Sequence, residues 1–230
     1  MKNILIQEAF EREINMLHDD LEKPSSQDTE YWVNNGILKF VKTRFTGNNY
    51  KGLGFEQTQK RIDDLRTLIV TVDLKGSASV ELPSNYLYMV GNRVGILPVD
   101  SDNKCWAKDE DGQPIIRYTD PLEATVETLD RMLENSLSEH NLKYCQAKPI
   151  MLQTGNTVEF FTDNNYYVSN YRLTYIKKPS RFSLNEPFAE YRDLTDVVLQ
   201  ECIKIAAQMF IENKQIQRYN TISNEVNGME

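Results

Sequence analysis

The sequence predicts an α+β fold: a helical bundle of N-terminal helices and a long C-terminal helix, interrupted by an inserted antiparallel β-rich domain. Three observations predict it. Apolar residues recur every three or four positions before Gly47 and again after Leu194, the period of a helix with one buried face. Between these segments the period shortens towards two, and Val, Tyr and Phe dominate, as in half-buried strands. With 230 residues, 40% hydrophobic and 10% aromatic, the chain can bury one sizeable core or two small ones. The expected boundaries are a bundle built from residues 1–66 and 188–222, with an insertion over 67–187 containing one short helix.

Ile6, Phe10, Ile14, Leu17 and Leu21 make one stripe on a first helix, which "KPSSQD" stops. Ser25, Ser26 and Asp28 can each cap a second helix, "TEYWVNNGILKFVKTRF", with Trp32, Ile37, Phe40, Val41 and Phe45 on its apolar face. Gly47 with Asn48 and Asn49 ends it. So short a connection predicts that the two helices pack antiparallel. A third helix, "FEQTQKRIDDLRTL", places Phe55, Ile62 and Leu65 on one side and Lys60, Arg61, Asp63, Asp64 and Arg66 on the solvent side.

Strands follow at "LIVTVDL", "ASVELP" and "NYLYMV", separated by "KGS" and Pro83. The acidic stretch from Val99 to Ile116 reads as a long hairpin whose tip carries Asp111 and Gly112. "VETLDRMLENSL" reads as a lone helix. "TVEFFTD" and "YYVSNYRLTYIKKP", joined through "NN", read as the clearest hairpin of the chain. Pro179 to Pro187 is the one linker-like stretch. Thr195 or Asp193 can cap the last helix, in which Val198, Cys202, Ile205, Met209 and Ile216 form a stripe widened by Val197, Ala206 and Phe210.

Composition narrows the function classes. The formal net charge of −8 opposes a chain that wraps duplex DNA, since affinity for phosphates comes from clustered Lys and Arg. No run of about 18 apolar residues exists, and Glu8, Glu11 and Glu13 stand where a signal peptide has an uncharged core, which predicts a protein that stays in the cytoplasm where it is made. Cys105, Cys145 and Cys202 are odd in number and far apart, without CxxC pairing, so reduced thiols are expected.

Candidate chemistry is sparse. The glycines of "GNNYKGLGF" lack both the GxGxxG spacing after a strand and the GK[ST] of a phosphate loop; one anion could still sit at the helix start near Phe55, beside Lys51, against the alternative of a hinge or contact loop. His140 and Cys145 lack further ligands at metal spacing, and an exposed histidine beside a buried thiol is expected. "DSDNK" and "DEDG" do not continue to the glycine and terminal Glu of a calcium loop. The tyrosines around Arg172, Lys177 and Lys178 suit stacking on a single nucleic-acid strand, or else a sheet core or interface. Neither catalytic, cofactor nor metal residues are assigned, and no enzyme is expected.

The block "FVKTRFTGNNYKGLGFEQTQKRIDDLRTLI", then "VELPSNYLYMV", "LDRMLEN" and "YRLTYIKKP", resembles a family of virion structural proteins of crAss-like and related phages of gut Bacteroidales, the head-tail connector or ring proteins below the portal. The similarity runs from about Ile14 to Pro179, in the same order and at similar spacing. The resemblance implies a ring, by expectation of twelve copies, bound to the portal protein on one side and to other tail or ring proteins on the other. Genomic DNA would pass through it without sequence-specific binding, no membrane would be involved, and the protein would reside in the virion after assembly in the host cytoplasm. Another tail ring or tail-tube component of the same virion is the alternative, and a nucleic-acid binding module a further one. In this reading "GNNYKGLGF" is a loop that presents Tyr50, Lys51 and Phe55 to a neighbouring subunit. Replacing Tyr50 and Phe55 together is expected to impair assembly and leave the monomer folded.

Overall fold

A computed structural model describes residues 1–17, 23–46, 59–76, 78–100, 106–135, 137–141, 148–163 and 165–213. Among them the chain is a mixed α and β protein with five α-helices and two mostly antiparallel sheets. It divides into two compact units: one is Met1–Leu68 with the chain from Lys178 onward, the other is Ile69–Lys177.

The first unit contains α1 (Asn3–Leu17), α2 (Ser26–Thr46), α3 (Gln59–Leu65) and, after the second unit, α5 (Asp196–Asn213). The α1 stripe lies where its period puts it, with Ile6, Phe10 and Ile14 buried. α2 starts at Ser25, whose hydroxyl accepts the Asp28 amide at 3.1 Å. α5 packs against both α1 and α2. Phe210 gathers the three helices: its ring stands edge-on to Phe10 and to Trp32, each at 6.1 Å. Thr195 is the residue that caps α5, through a long 3.5 Å contact with the Val198 amide. Val197 departs from the expected face and is exposed, because the buried side of α5 is centred on Leu199, Cys202, Ile203 and Ala206.

Two expectations for this unit are corrected. α3 keeps Lys60, Asp63 and Arg66 in solvent but not its other two charges: Arg61 is buried at 2% exposure, its Nη1 3.4 Å from the Thr43 carbonyl, and Asp64 faces inward towards Arg44. The stretch from Pro179 to Pro187 is pinned rather than linker-like. Asn34 of α2 donates its side-chain amide to the Phe182 carbonyl at 2.9 Å and accepts the Phe182 amide at 2.8 Å. The Glu30 carboxylate accepts the Leu184 amide at 2.6 Å, and the Phe182 ring is fully buried. Polar side chains on α2 substitute for a sheet neighbour and satisfy backbone that has no partner of its own.

The second unit holds β1 (Ile69–Lys75), β2 (Ser79–Glu81), β3 (Tyr86–Pro98), β4 (Arg117–Thr119), β5 (Leu122–Ala124), α4 (Leu129–Glu134), β6 (Ile150–Thr154), β7 (Thr157–Phe161) and β8 (Tyr166–Lys177). One sheet runs β1-β8-β3-β4 and the other β2-β7-β6-β5, with β5 and β6 parallel. They share one core, in which Val94, Ile96, Tyr171 and Leu173 of the first sheet meet Val80, Met151, Val158 and Phe160 of the second. Phe160 and Tyr171 stand edge-on at 5.1 Å.

The predicted β7–β8 hairpin does not form. β7 pairs with β6 and β2, and β8 with β1 and β3, so the chain changes sheets between them. Alternation specifies the buried face of a strand but carries no information about its neighbour. The tight hairpin is instead β6–β7, turning at Gly155–Asn156, where Gly155 has φ of +60°. The acidic stretch after β3 turns back at Asp109–Gln113, with the Asp109 carboxylate accepting the Gln113 amide at 2.7 Å and Gly112 at φ +76°.

Candidate interaction surface

Tyr50, Lys51 and Phe55 lie outside the described residues, as does the glycine loop that carries them. His140, expected to be exposed, is buried, with its Nδ1 3.3 Å from the Lys148 carbonyl. Cys202 is a free thiol buried in α5, and burial pushes its pKa up, away from the thiolate. Among the described residues there is no group of three or more His, Cys, Asp or Glu side chains that could hold a metal ion, and no helix long and apolar enough to cross a membrane.

The tyrosines of β8 sort by face, with the parity of the inward positions changing at the register shift between Val168 and Asn170. Tyr166, Tyr171 and Tyr175 point into the core, so they are not available as a stacking platform; Tyr167 alone of the four is exposed. Burial raises the pKa of the Tyr166 and Tyr171 phenols.

With those rings inside, the outer face of the first sheet is built from the alternate positions. Gly95 pairs with Tyr118 on one side and with Asn170 on the other, and Leu97 pairs with Tyr167. Gly95 is needed there: a Cβ would lie 1.8 Å from Asn170 Oδ1 and 2.9 Å from Ile116 Cγ2, so the bare backbone makes room for both side chains. Asn170 donates to the Tyr118 hydroxyl at 3.0 Å, and the Arg172 guanidinium lies 4.8 Å from the Tyr118 ring centroid. Arg172 in turn grips Asp73 through two hydrogen bonds, at 2.8 and 3.2 Å. That bond lowers the Asp73 pKa and raises that of Arg172. Arg93, opposite Arg172 in the register, faces Asp120 at 3.6 Å.

The face is therefore amphipathic. Val99, Ile116, Tyr118 and Tyr167 are exposed at 39–63% towards one end, and the charged pairs Asp73–Arg172 and Arg93–Asp120 border them. Apolar and aromatic side chains within a polar rim are the anatomy of a protein-binding surface. Sequence reasoning assigned the Val99–Ile116 residues to a solvated hairpin and missed this face; the signal was the sequence "PIIRYT", three apolar or aromatic side chains next to an arginine with no buried strand to serve.

A second feature of the same unit is a cleft of about 590 Å³, lined by Met89–Asn92 of β3, Glu123–Val126 at the end of β5, and Met151–Gln153 of β6. The side-chain amide nitrogen of Asn92, one of the lining residues, lies 3.1 Å from Met89 Sδ, 3.6 Å from Met151 Sδ and 3.2 Å from a Glu123 carboxylate oxygen.

In the helical unit, Arg44 of α2 collects two carboxylates. It lies 2.7 Å from Glu201 of α5 and 3.3 Å from Asp64 of α3, and its own side chain is 3% exposed. Lys60 meets the other Glu201 oxygen at 3.3 Å. Desolvation raises the Asp64 pKa more strongly than Arg44 lowers it, with Glu201 adding to the rise. The cluster ties three helices together.

No protein-family model matches the chain, and no curated protein matches it.

Proposed function

We propose that this chain is a virion structural protein of a tailed phage: a head-tail connector subunit that forms a ring below the portal, guides DNA passage and joins the capsid vertex to the tail. In this reading the helical unit is a bundle whose long C-terminal helix braces one subunit contact, and the β unit provides another. The observation that carries the reading is the outer face of β4, β3 and β8, where Ile116, Tyr118, Tyr167 and Val99 are presented to solvent within a rim of ion pairs. Closed rings require two different patches on each subunit, and an apolar face on a sheet unit distinct from the helical unit supplies one of them. The resemblance of residues 14–179 to connector proteins names the assembly. The net charge of −8 suits a channel along which DNA slides without being held.

The test is particle mass by light scattering of the purified protein, alone and mixed with the portal protein of the same phage. A ring, or a portal-dependent complex of fixed stoichiometry, is expected. Ile116→Asp combined with Tyr167→Asp should abolish it without unfolding the monomer. A persistent monomer that ignores the portal overturns the proposal.

A further inference from the structure

The cleft in the β unit lies where each sheet runs out of neighbours. β8 pairs with β3 along its whole length, but β4 covers β3 only at Val94–Ile96, so the side of Tyr86–Arg93 away from β8 has no strand on it among the described residues. β5 ends the other sheet, with β6 on one side only. Met89–Asn92 from the uncovered part of β3 and Glu123–Ala124 from β5 both line the cleft. Strand edges in this state present backbone donors and acceptors that an extended chain can use.

The side chains say what kind of chain. Gly91 leaves its backbone bare, and a Cβ built on it meets nothing within 4 Å, so another backbone can approach closely. The register with β8 shifts between Met89 and Gly91, an irregularity of the sort that re-aims side chains at binding sites. Met89 and Met151 provide adaptable apolar contact, and Glu123 contributes the carboxylate among the cleft-lining residues. The volume lies within the roughly 300–1,000 Å³ typical of ligand clefts.

We propose that this cleft is a strand-acceptor site: an extended segment of a partner polypeptide adds to the open edge of β3, placing a Lys or Arg side chain against Glu123. Main-chain pairing supplies most of the binding, and the carboxylate selects the basic side chain. The site does not depend on ring formation and can be tested on the monomer.

The experiment is an amide-resolved nuclear magnetic resonance titration of the full chain with the capped pentapeptide Val-Thr-Lys-Thr-Val, and with its counterpart carrying Glu in place of Lys. Saturable shifts at Val90, Gly91 and Ala124 are expected, with slower amide exchange along Met89–Asn92. The Lys peptide should bind about tenfold more tightly than the Glu peptide, and E123Q should abolish that preference. G91V has open space for its Cβ and should fold, yet block the site. Absence of shifts, equal binding of the two peptides to the unmodified protein, or unchanged binding by folded G91V overturns the proposal. So does an equal response to capped lysine alone, which would identify a pocket for small cations.

Discussion

Gly36 of α2 touches α5 so closely that a Cβ on it would lie 2.8 Å from the Cβ of Ala206 and 2.7 Å from the Cys202 carbonyl oxygen. Backbone cannot withdraw as a flexible side chain would. Glycine is therefore retained in a helix interior, where it costs about 1 kcal/mol relative to alanine, because the helices gain more by packing at this distance. Gly36→Ala is expected to destabilise the protein by about 1–3 kcal/mol despite its better helix propensity, and Gly36→Leu by more. Urea denaturation followed by circular dichroism measures both; an alanine variant more stable than the parent would show that the helices separate freely.

Arg44 pairs with both Asp64 and Glu201, and its removal leaves two largely buried carboxylates with only the half-exposed Lys60 to offset them. Arg44→Leu should cost about 3–5 kcal/mol. Adding Glu201→Gln and Asp64→Asn to that variant should recover a large part of the loss, since the penalty is unpaired charge rather than lost volume. A triple variant no more stable than Arg44→Leu alone would assign the loss to packing of the arginine stem over Phe40, whose ring centroid lies 4.8 Å from the guanidinium.

Two aspartates should titrate on opposite sides of the ordinary value of 3.8. Asp73 is held below it by its hydrogen bond with Arg172, so its contribution to stability is present above 3.8 and is lost as pH falls through the folded midpoint. Asp64 is pushed above it by desolvation, so its contribution is present below 3.8 and is lost as pH rises through the folded midpoint. Carboxyl carbon shifts followed against pH measure both. Arg172→Ala should return Asp73 to the ordinary range and leave Asp64 unmoved.

Gly155 opens the two-residue turn between β6 and β7 at φ +60°, a conformation that costs a residue with a side chain about 1–2 kcal/mol. Gly155→Ala is expected to lower Tm by several degrees, in proportion. Gly91→Ala, at negative φ with open space around it, should leave Tm nearly unchanged in the same thermal scan. Equal losses at the two sites would contradict the assignment of the turn.

Local pattern in the sequence carried those parts of the structure that depend on one element at a time. The period of α1 placed Ile6, Phe10 and Ile14 in the core, and alternation along β8 accounts for Tyr171, Leu173 and Tyr175 there. Removing apolar surface from water decides both, and it acts on each side chain whatever the neighbour is. Three outcomes waited on the tertiary structure. β7 and β8 joined different sheets, because a period of two fixes a face and leaves the partner open. Arg61 and Arg44 were buried, because a charge enters the interior only where partners meet it, and Glu201 reaches Arg44 from 157 residues away in the chain. The cleft and the outer face of the first sheet are assembled from strands that are distant in sequence, so no local window contains them; Asn92 and Glu123, 31 residues apart, become neighbours through the arrangement of the two sheets in which they lie.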